Sequence, residues 1–432
     1  MPRRHPSLLA APSPARGRLW LTHARLFDGT GSGVRDGAAV LVSNGLIERV
    51  GDASEAVPEA ARVIDLQGRM LLPGLIDLHV HVQAPEVHPM HGAEPVLAGT
   101  SAHFLQAGLR EALAAGVTTV RNVGGQGSEP QAARQAMRYG AFRGPRLLTC
   151  GQIISATTPG SRFYGAMYRE ADGPDDVRKA VREQLRNGAD FIKVMTTGAR
   201  SNEMEDPGPT QLTDAEFAAL VDEARRMGVK VAAHAEGLDG ASAAIRHKMD
   251  TIEHSMYLNQ RPDLLDQMAA GGQVLVPTLS GYYWMGGMPS AIDPATAVID
   301  ADMLPLLVEL AHYNLEQGTL SMRAAARAGV RIGLGSDAES LSGEATALEL
   351  VRMIHHGLSP ADALRAATSI AAEAIGLKEH IGTVQAGKLA DLLVVDGDVL
   401  AAPGLLLDPA RIWLVVQLGH IAGGTYERTL TG

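Results

Sequence analysis

The 432-residue chain has a single cysteine, Cys150, so no intrachain disulfide can form and cysteine usage leaves the redox compartment open. Cys150 ends the short apolar run Leu147-Leu148-Thr149-Cys150, which reads as a small core residue in preference to a nucleophile. Basic charge is also scarce: 38 Lys and Arg against 48 Asp and Glu give a net charge of −10. With no basic block to offset this, a partner held by phosphate contacts is not expected. No segment reaches the ~18 apolar residues of a membrane span. The N-terminal Arg3 and Arg4 are followed only by the short apolar stretch 8–12, less than the roughly 7–15 residues of a secretory signal core. The expectation is a cytoplasmic protein that engages neither nucleic acid nor membrane. No G-x-G-x-x-G turn follows the first strand of the central region, which counts against a doubly wound dinucleotide fold. No tandem repeat recurs at a fixed short period.

What is present suits a soluble globular protein, with 46% hydrophobic and 20% charged residues. The length accommodates a large barrel and a smaller domain. Residues 1–17, rich in Pro, Arg and Ala, read as a loose arm. From 19 to about 70 short β-type runs alternate with turn residues, at 19–27, 39–42 and 46–50, with Asn44-Gly45 as a hairpin signal. The C-terminal end resumes this texture at 391–396 and 412–418. Neither end can bury a core alone, so the two are expected to pair into one small β-sandwich. Between them, apolar runs alternate with Ala-rich helical stretches such as 216–227 and 360–375. Eight strands are predicted, at 75–82, 118–123, 146–150, 191–196, 229–233, 251–254, 274–279 and 330–335. That number and length match an α/β fold of the (β/α)8 TIM-barrel kind. The expected division is arm and first part of the sandwich at 1–70, barrel at 71–381, and second part of the sandwich at 382–432.

The residues that carry chemistry stand at strand ends. The first strand reads Pro73-Gly74-Leu75-Ile76-Asp77-Leu78-His79-Val80-His81. Residues two apart in a strand face one side, so His79 and His81 point together while Val80 points away. They lie at the end of the strand where barrels place their chemistry, and two imidazoles at this spacing can reach one metal. A pair of structural histidines is the alternative. Lys193 sits in Phe191-Ile192-Lys193-Val194-Met195. A lysine in a buried parallel strand is costly unless paired with a carboxylate or chemically changed. Burial lowers its pKa, and the neutral amine can take up carbon dioxide to give a carbamate, whose two oxygens can bridge two cations. His234, His254 and Asp337 each close an apolar run of their own. Any one alone would more often be structural; six metal-competent groups on five strands make a joint signal. His88 and His91, in the loop after the first strand, are candidates for substrate contact.

These segments resemble the amidohydrolase superfamily. PGLIDLHVH, GVTTVR, FIKV, AAHAEG, TIEHS and GLGSDA follow in that superfamily's order, and GTVQAGKLADLLVVDGD is similar to its return to the β-sandwich. One-metal imidazolonepropionase-like and cytosine-deaminase-like relatives lack the lysine. Lys193 makes the chain similar to the two-metal subgroup of prolidase-like and Xaa-dipeptidase enzymes, which includes ochratoxin-hydrolysing amidohydrolases. The resemblance implies two divalent metals, with zinc expected from the imidazole and carboxylate donors. His79, His81 and Asp337 would hold the more buried ion, His234 and His254 the more exposed one, and carboxylated Lys193 would bridge them. It implies hydrolysis of an amide in a small substrate, a dipeptide, N-acyl amino acid or ochratoxin-like amide, by hydroxide, with Asp337 as both ligand and catalytic base. A homo-oligomer is expected, since relatives commonly assemble. A mononuclear deaminase or cyclic-amide hydrolase is the alternative; a non-catalytic scaffold would have lost ligands, and all six are present.

The chain departs from its relatives around the substrate. Where many carry Gly-Gly-His after the third strand, it has Ala156-Thr157-Thr158-Pro159-Gly160-Ser161, and Asn122 stands where Asp is usual. Glu236 replaces an aromatic residue two positions after His234 and would either repel a substrate carboxylate, accept a substrate amine or stand solvated in a loop. Arg200 and Ser201 are candidates for a substrate carboxylate, and Tyr257, Tyr282 and Tyr283 for apolar walls with a polar tip.

Overall fold

The computed structural model describes residues 13–82, 99–125, 127–200, 204–301, 303–338 and 341–427. Both chain ends contribute to one eight-stranded sheet. Its strands are β1 (Arg18–Phe27), β2 (Val34–Ser43), β3 (Leu46–Asp52), β4 (Ala61–Asp65) and β5 (Met70–Pro73) from the N-terminal side. In β1 and β2 the residues Leu19, Leu21, Leu26, Val40 and Val42 turn inward onto one core. The predicted hairpin forms at Asn44-Gly45, where both residues take positive φ, 49° and 80°, as a tight turn between right-twisted strands requires.

The central region follows. β6 (Leu75–Val80), β7 (Val117–Asn122) and β8 (Arg146–Thr149) form a three-stranded parallel sheet. A second parallel sheet has seven strands in the order β10-β9-β11-β12-β13-β14-β15. They are β9 (Ile153–Ser155), β10 (Tyr168–Glu170), β11 (Ile192–Met195), β12 (Val231–Ala235), β13 (Thr251–His254), β14 (Val274–Val276) and β15 (Arg331–Ile332). Hydrogen bonds tie the two sheets on both flanks. Leu78 N donates to Leu334 O at 2.9 Å and Asp337 N to His79 O at 2.7 Å on one side; Asp190 N donates to Thr149 O at 2.8 Å on the other. β16 (Leu392–Val395), β17 (Ile412–Gln417) and β18 (His420–Gly423) then return to the first sheet, and β16 pairs antiparallel with β5.

Three expectations change. The predicted third strand continues past a kink at Gly151, φ 73°, as β9, which crosses to the other parallel sheet and recruits β10, a strand absent from the sequence reading. The predicted strand 330–335 is regular only at Arg331–Ile332. Beyond it the backbone packs so closely that a Cβ at Gly333 would stand 2.6 Å from Leu78 Cδ1, and one at Gly335 2.6 Å from His79 Cβ. The predicted helix 360–375 is two helices, Pro360–Ala366 and Ser369–Ala374. Thr368 leaves the helical conformation at φ −137°, ψ −91°, and its hydroxyl donates back to Leu364 O at 2.6 Å. The break frees two carbonyls: Ala366 O accepts from Leu334 N at 3.0 Å and Ala367 O from Ile76 N at 2.7 Å. The predicted helix 216–227 forms as Asp214–Arg226, opened by a reciprocal Thr213–Glu216 capping box. Among the described residues no helix is long and apolar enough to cross a membrane.

Candidate metal centre

Each parallel strand ends at the same face, and the six metal-competent residues meet there. His79, His81, Lys193, His234, His254 and Asp337 all line one chamber. Asp337 Oδ1 lies 3.2 Å from His79 Nε2 and 3.4 Å from His81 Nε2, and its Oδ2 lies 3.9 Å from His254 Nδ1. The His79 and His254 rings are 5.1 Å apart, and those of His234 and His254 4.6 Å. His79, His254 and Asp337 offer ligand atoms all within 4.8 Å of one another. The backbone is strained to bring this about. His254 (φ 64°), Ser255 (49°), Thr278 (48°) and Asp337 (52°) occupy the left-handed region without being glycine. Each such residue costs about 1–3 kcal/mol, and strain of this kind clusters where side-chain placement matters.

A buried shell fixes the imidazoles. Glu253 Oε2 lies 2.8 Å from His79 Nδ1, and its Oε1 accepts from Arg121 at 2.9 Å and from Thr251 Oγ1 at 2.5 Å. Arg121 also donates to Leu78 O at 2.5 Å. Asp77 accepts from the backbone N–H of His79 at 3.1 Å and of Ser336 at 3.0 Å, tying the segments that carry His79 and Asp337. His81 Nδ1 is 3.0 Å from Gly124 O, and His254 Nδ1 is 2.6 Å from Thr278 Oγ1. Sequence reasoning passed over Asp77, Arg121 and Glu253. The available signal was an acid inside an apolar strand, Thr251-Ile252-Glu253-His254, which needs a buried cation somewhere.

Lys193 is 2% exposed, and its Nζ has no hydrogen-bond partner among the described residues. Burial brings its pKa down to about 8, against the pull of Glu253. For His79, burial and Lys193 act downward, but Asp337 and Glu253 outweigh them and the pKa rises. Burial lowers His254 to about 3, and burial with His254 and Lys193 takes His234 well below the usual imidazole value. Burial would raise Asp337; the imidazoles of His79, His81 and His254 prevail and hold it well below the usual carboxylate range.

Residues 70–427 match the model of the Amidohydrolase family. The chain belongs to that family. It is a hydrolase. The ochratoxinase of Aspergillus niger is 27% identical over 456 residues, 98% of this chain and 90% of that protein. The imidazolonepropionase of Pseudomonas putida is 28% identical over 438 residues, 92% of this chain and 96% of that protein. The crystal structure of a Xaa-Pro dipeptidase with bound methionine superposes with a TM-score of 0.82 at 26% identity, covering 94% of this chain and all of the other.

The chamber of this amidohydrolase is lined by both polar and apolar residues. Glu236 faces it, and burial raises its carboxyl to about 7, opposed by Arg200. Arg200 Nε stands 3.0 Å from Glu236 Oε2, and its backbone N–H points at both Glu236 oxygens. Arg200 is thus already matched by a carboxylate, and its guanidinium lies 5.5 Å from the half-buried Tyr257 ring. The lining also includes residues the sequence reading missed, Ile153, Tyr164, Met167 and Tyr168 from the segment around β9 and β10, with Trp284. Tyr282 lines the chamber. Its phenol is pushed well above the usual value by burial, then by Glu236 and Asp337. Tyr283 does not line it. Its hydroxyl donates to Ile292 O at 2.5 Å and lies 2.9 Å from His356 Nε2, with Arg352 4.0 Å over the ring. Consecutive residues of the helix Leu279–Met285 point about 100° apart, and the contacts of Tyr283 with Ile292, His356 and Arg352 take its side chain away from the chamber that Tyr282 lines. Asn122 serves the loop after β6 by accepting from Val82 N at 2.8 Å. His88, His91 and Ser201 lie outside the described residues.

Proposed function

We propose that this amidohydrolase cleaves the amide bond of a small substrate, a dipeptide, N-acyl amino acid or ochratoxin-like amide, at a centre for two divalent metals, zinc first. The observation that carries the reading is Lys193: a buried amine without a partner, among four histidines and a carboxylate at the strand ends. The donor set fits such ions. Imidazole nitrogens and carboxylate oxygens suit zinc, and an amine with a pKa near 8 is neutral often enough to take up carbon dioxide. His79, His81 and Asp337 would hold one ion, His234 and His254 the other, and the Lys193 carbamate would bridge them. Bound divalent cations supply Lewis acidity, lowering the pKa of water and polarising a carbonyl. Asp337 takes the proton of the attacking water and passes it to the leaving nitrogen. Glu253 and Asp77 hold His79 in place for this, and the apolar wall excludes solvent. On this reading the parallel strands of 71–381 close into a (β/α)8 barrel, and the segments 1–70 and 382–432 form the β-sandwich. The bonds from Leu78 and Asp190 across the two flanks support that closure.

A one-metal cyclic-amide hydrolase or deaminase is the second reading. It is favoured by the three-donor cluster of His79, His254 and Asp337 and by the likeness to imidazolonepropionase. Elemental analysis of protein purified without chelator and reconstituted with zinc separates them. About two ions per chain, with hydrolysis of an N-acyl amino acid panel, is expected; one ion that saturates the site overturns the two-metal reading.

A further inference from the structure

We infer that Tyr282 is a catalytic residue whose phenolic O–H donates a hydrogen bond to the scissile carbonyl oxygen, one that tightens as this oxygen gains negative charge. The inference rests on the amide-hydrolase reading and gives Tyr282 a role beyond an apolar wall.

Three observations carry it. The first is position. Thr278, just before the helix Leu279–Met285, touches His254, and a Cβ at Gly281 would stand 2.8 Å from Asp337 Oδ2. Tyr282 is therefore the next residue after one pressed directly against the base. The second is the state of the hydroxyl. Tyr282 is 4% exposed and lines the chamber, yet its Oη has no hydrogen-bond partner among the described residues. Buried hydroxyls are nearly always satisfied, and an orphan left at a reacting centre points to a partner that arrives with the substrate. Among the described side chains lining this chamber, Lys193 Nζ is the other orphaned atom, and it is assigned to the metals. The third is the seat of the ring. A Cβ on Gly318, within the helix Pro305–Arg327, would stand 3.2 Å from Tyr282 Cε2. Glycine is a poor residue inside a helix, and here it makes room for the ring to lie against the helix backbone.

The chemistry balances without a proton from Tyr282. The water oxygen bonds to the carbonyl carbon, the C–N bond breaks, Asp337 carries a water proton to the leaving nitrogen, and a carboxylic acid and an amine leave. Tyr282 keeps its O–H throughout and contributes a donor aimed where charge develops.

The test is Tyr282→Phe in the metal-loaded enzyme, which keeps the ring on Gly318. The panel of N-acyl amino acids is assayed, and calorimetry measures binding of a phosphonate analogue of the best substrate and of the product amino acid. Expected are a kcat lower by about 10²-fold with KM nearly unchanged, a similar loss for the tetrahedral phosphonate, and unchanged product binding, at wild-type metal content and thermal midpoint. A kcat within about twofold of wild type, or equal losses for phosphonate and product, overturns the inference while the amide reading stands. If the wild-type protein cleaves no amide in the panel, the amide reading falls and the inference falls with it.

Discussion

Glu253 and His79 meet at 2.8 Å inside the protein, Glu253 wholly shielded from solvent and gripped on its other oxygen by Arg121. The carboxylate fixes the ring so that Nε2 faces Asp337. Glu253→Gln would leave the Arg121 guanidinium buried without its counter-charge, which costs about 3–5 kcal/mol. It would also loosen His79, a metal ligand on the proposed reading, and such outer partners are worth about 10–100-fold in metal affinity. Urea unfolding and zinc competition with a chelator measure the two effects; wild-type values in both would show that the contact orients nothing.

Lys193→Ala removes the one amine among the described residues that line the centre. At most one ion per chain should remain after reconstitution, with activity lower by about 10²-fold or more. Bicarbonate should speed reconstitution of the wild type and have no effect on the variant. A variant with two ions and full activity would end the bridging role.

Gly335 lies against the base of His79, where an added Cβ would stand 2.6 Å from His79 Cβ and 2.5 Å from Val276 Cγ1. Gly335→Ala should cost about 1–3 kcal/mol through overpacking. Pushing His79 aside should lower kcat by up to about 10²-fold. Thermal unfolding and steady-state kinetics give both numbers. Unchanged kcat in a destabilised protein would separate the glycine's packing from ligand placement.

Glu349 is fully buried and accepts from Leu279 N at 3.0 Å and Ser280 N at 2.7 Å, at the head of the helix that carries Tyr282. Burial raises its carboxyl from 4.5 to about 7, so the folded chain holds the proton more tightly than the unfolded one. Its stabilising contribution is complete below pH 4.5 and is lost as pH rises through 7, a span of roughly 3 kcal/mol. The difference in unfolding free energy between wild type and Glu349→Gln should therefore shift in favour of the variant from pH 5 to pH 8. Parallel pH curves for the two proteins would refute this.

The metal-competent residues could be read from sequence because each stands in or just after a short apolar run, a local pattern that needs no knowledge of neighbours. The pairing of the two chain ends was legible for a similar reason, since neither end has enough apolar residues to stand alone. What stayed hidden depends on partners far apart in the chain. Arg121 and Glu253 explain each other only once β7 and β13 face one interior. The wall at Tyr164 and Tyr168 exists because a kink at Gly151 moves β9 to another sheet. Tyr282 and Tyr283 are equivalent in a sequence and separate only by their angle on the helix. The break at Thr368 has no proline or glycine to announce it; it goes with carbonyls turned to the distant N–H groups of Ile76 and Leu334.

The junction of β5 with β16 has a temporal side. β5 runs straight into β6, the strand that carries His79, yet β5 finds its antiparallel partner only in Leu392–Val395. That segment leaves the ribosome after every residue of the metal centre has been made. Until then the strand bearing His79 lacks this support, and pairing across so long a loop is among the slow events of folding. The site should therefore mature only once Leu392–Val395 has been made and has paired with β5, and metal should be captured after that pairing and not before it.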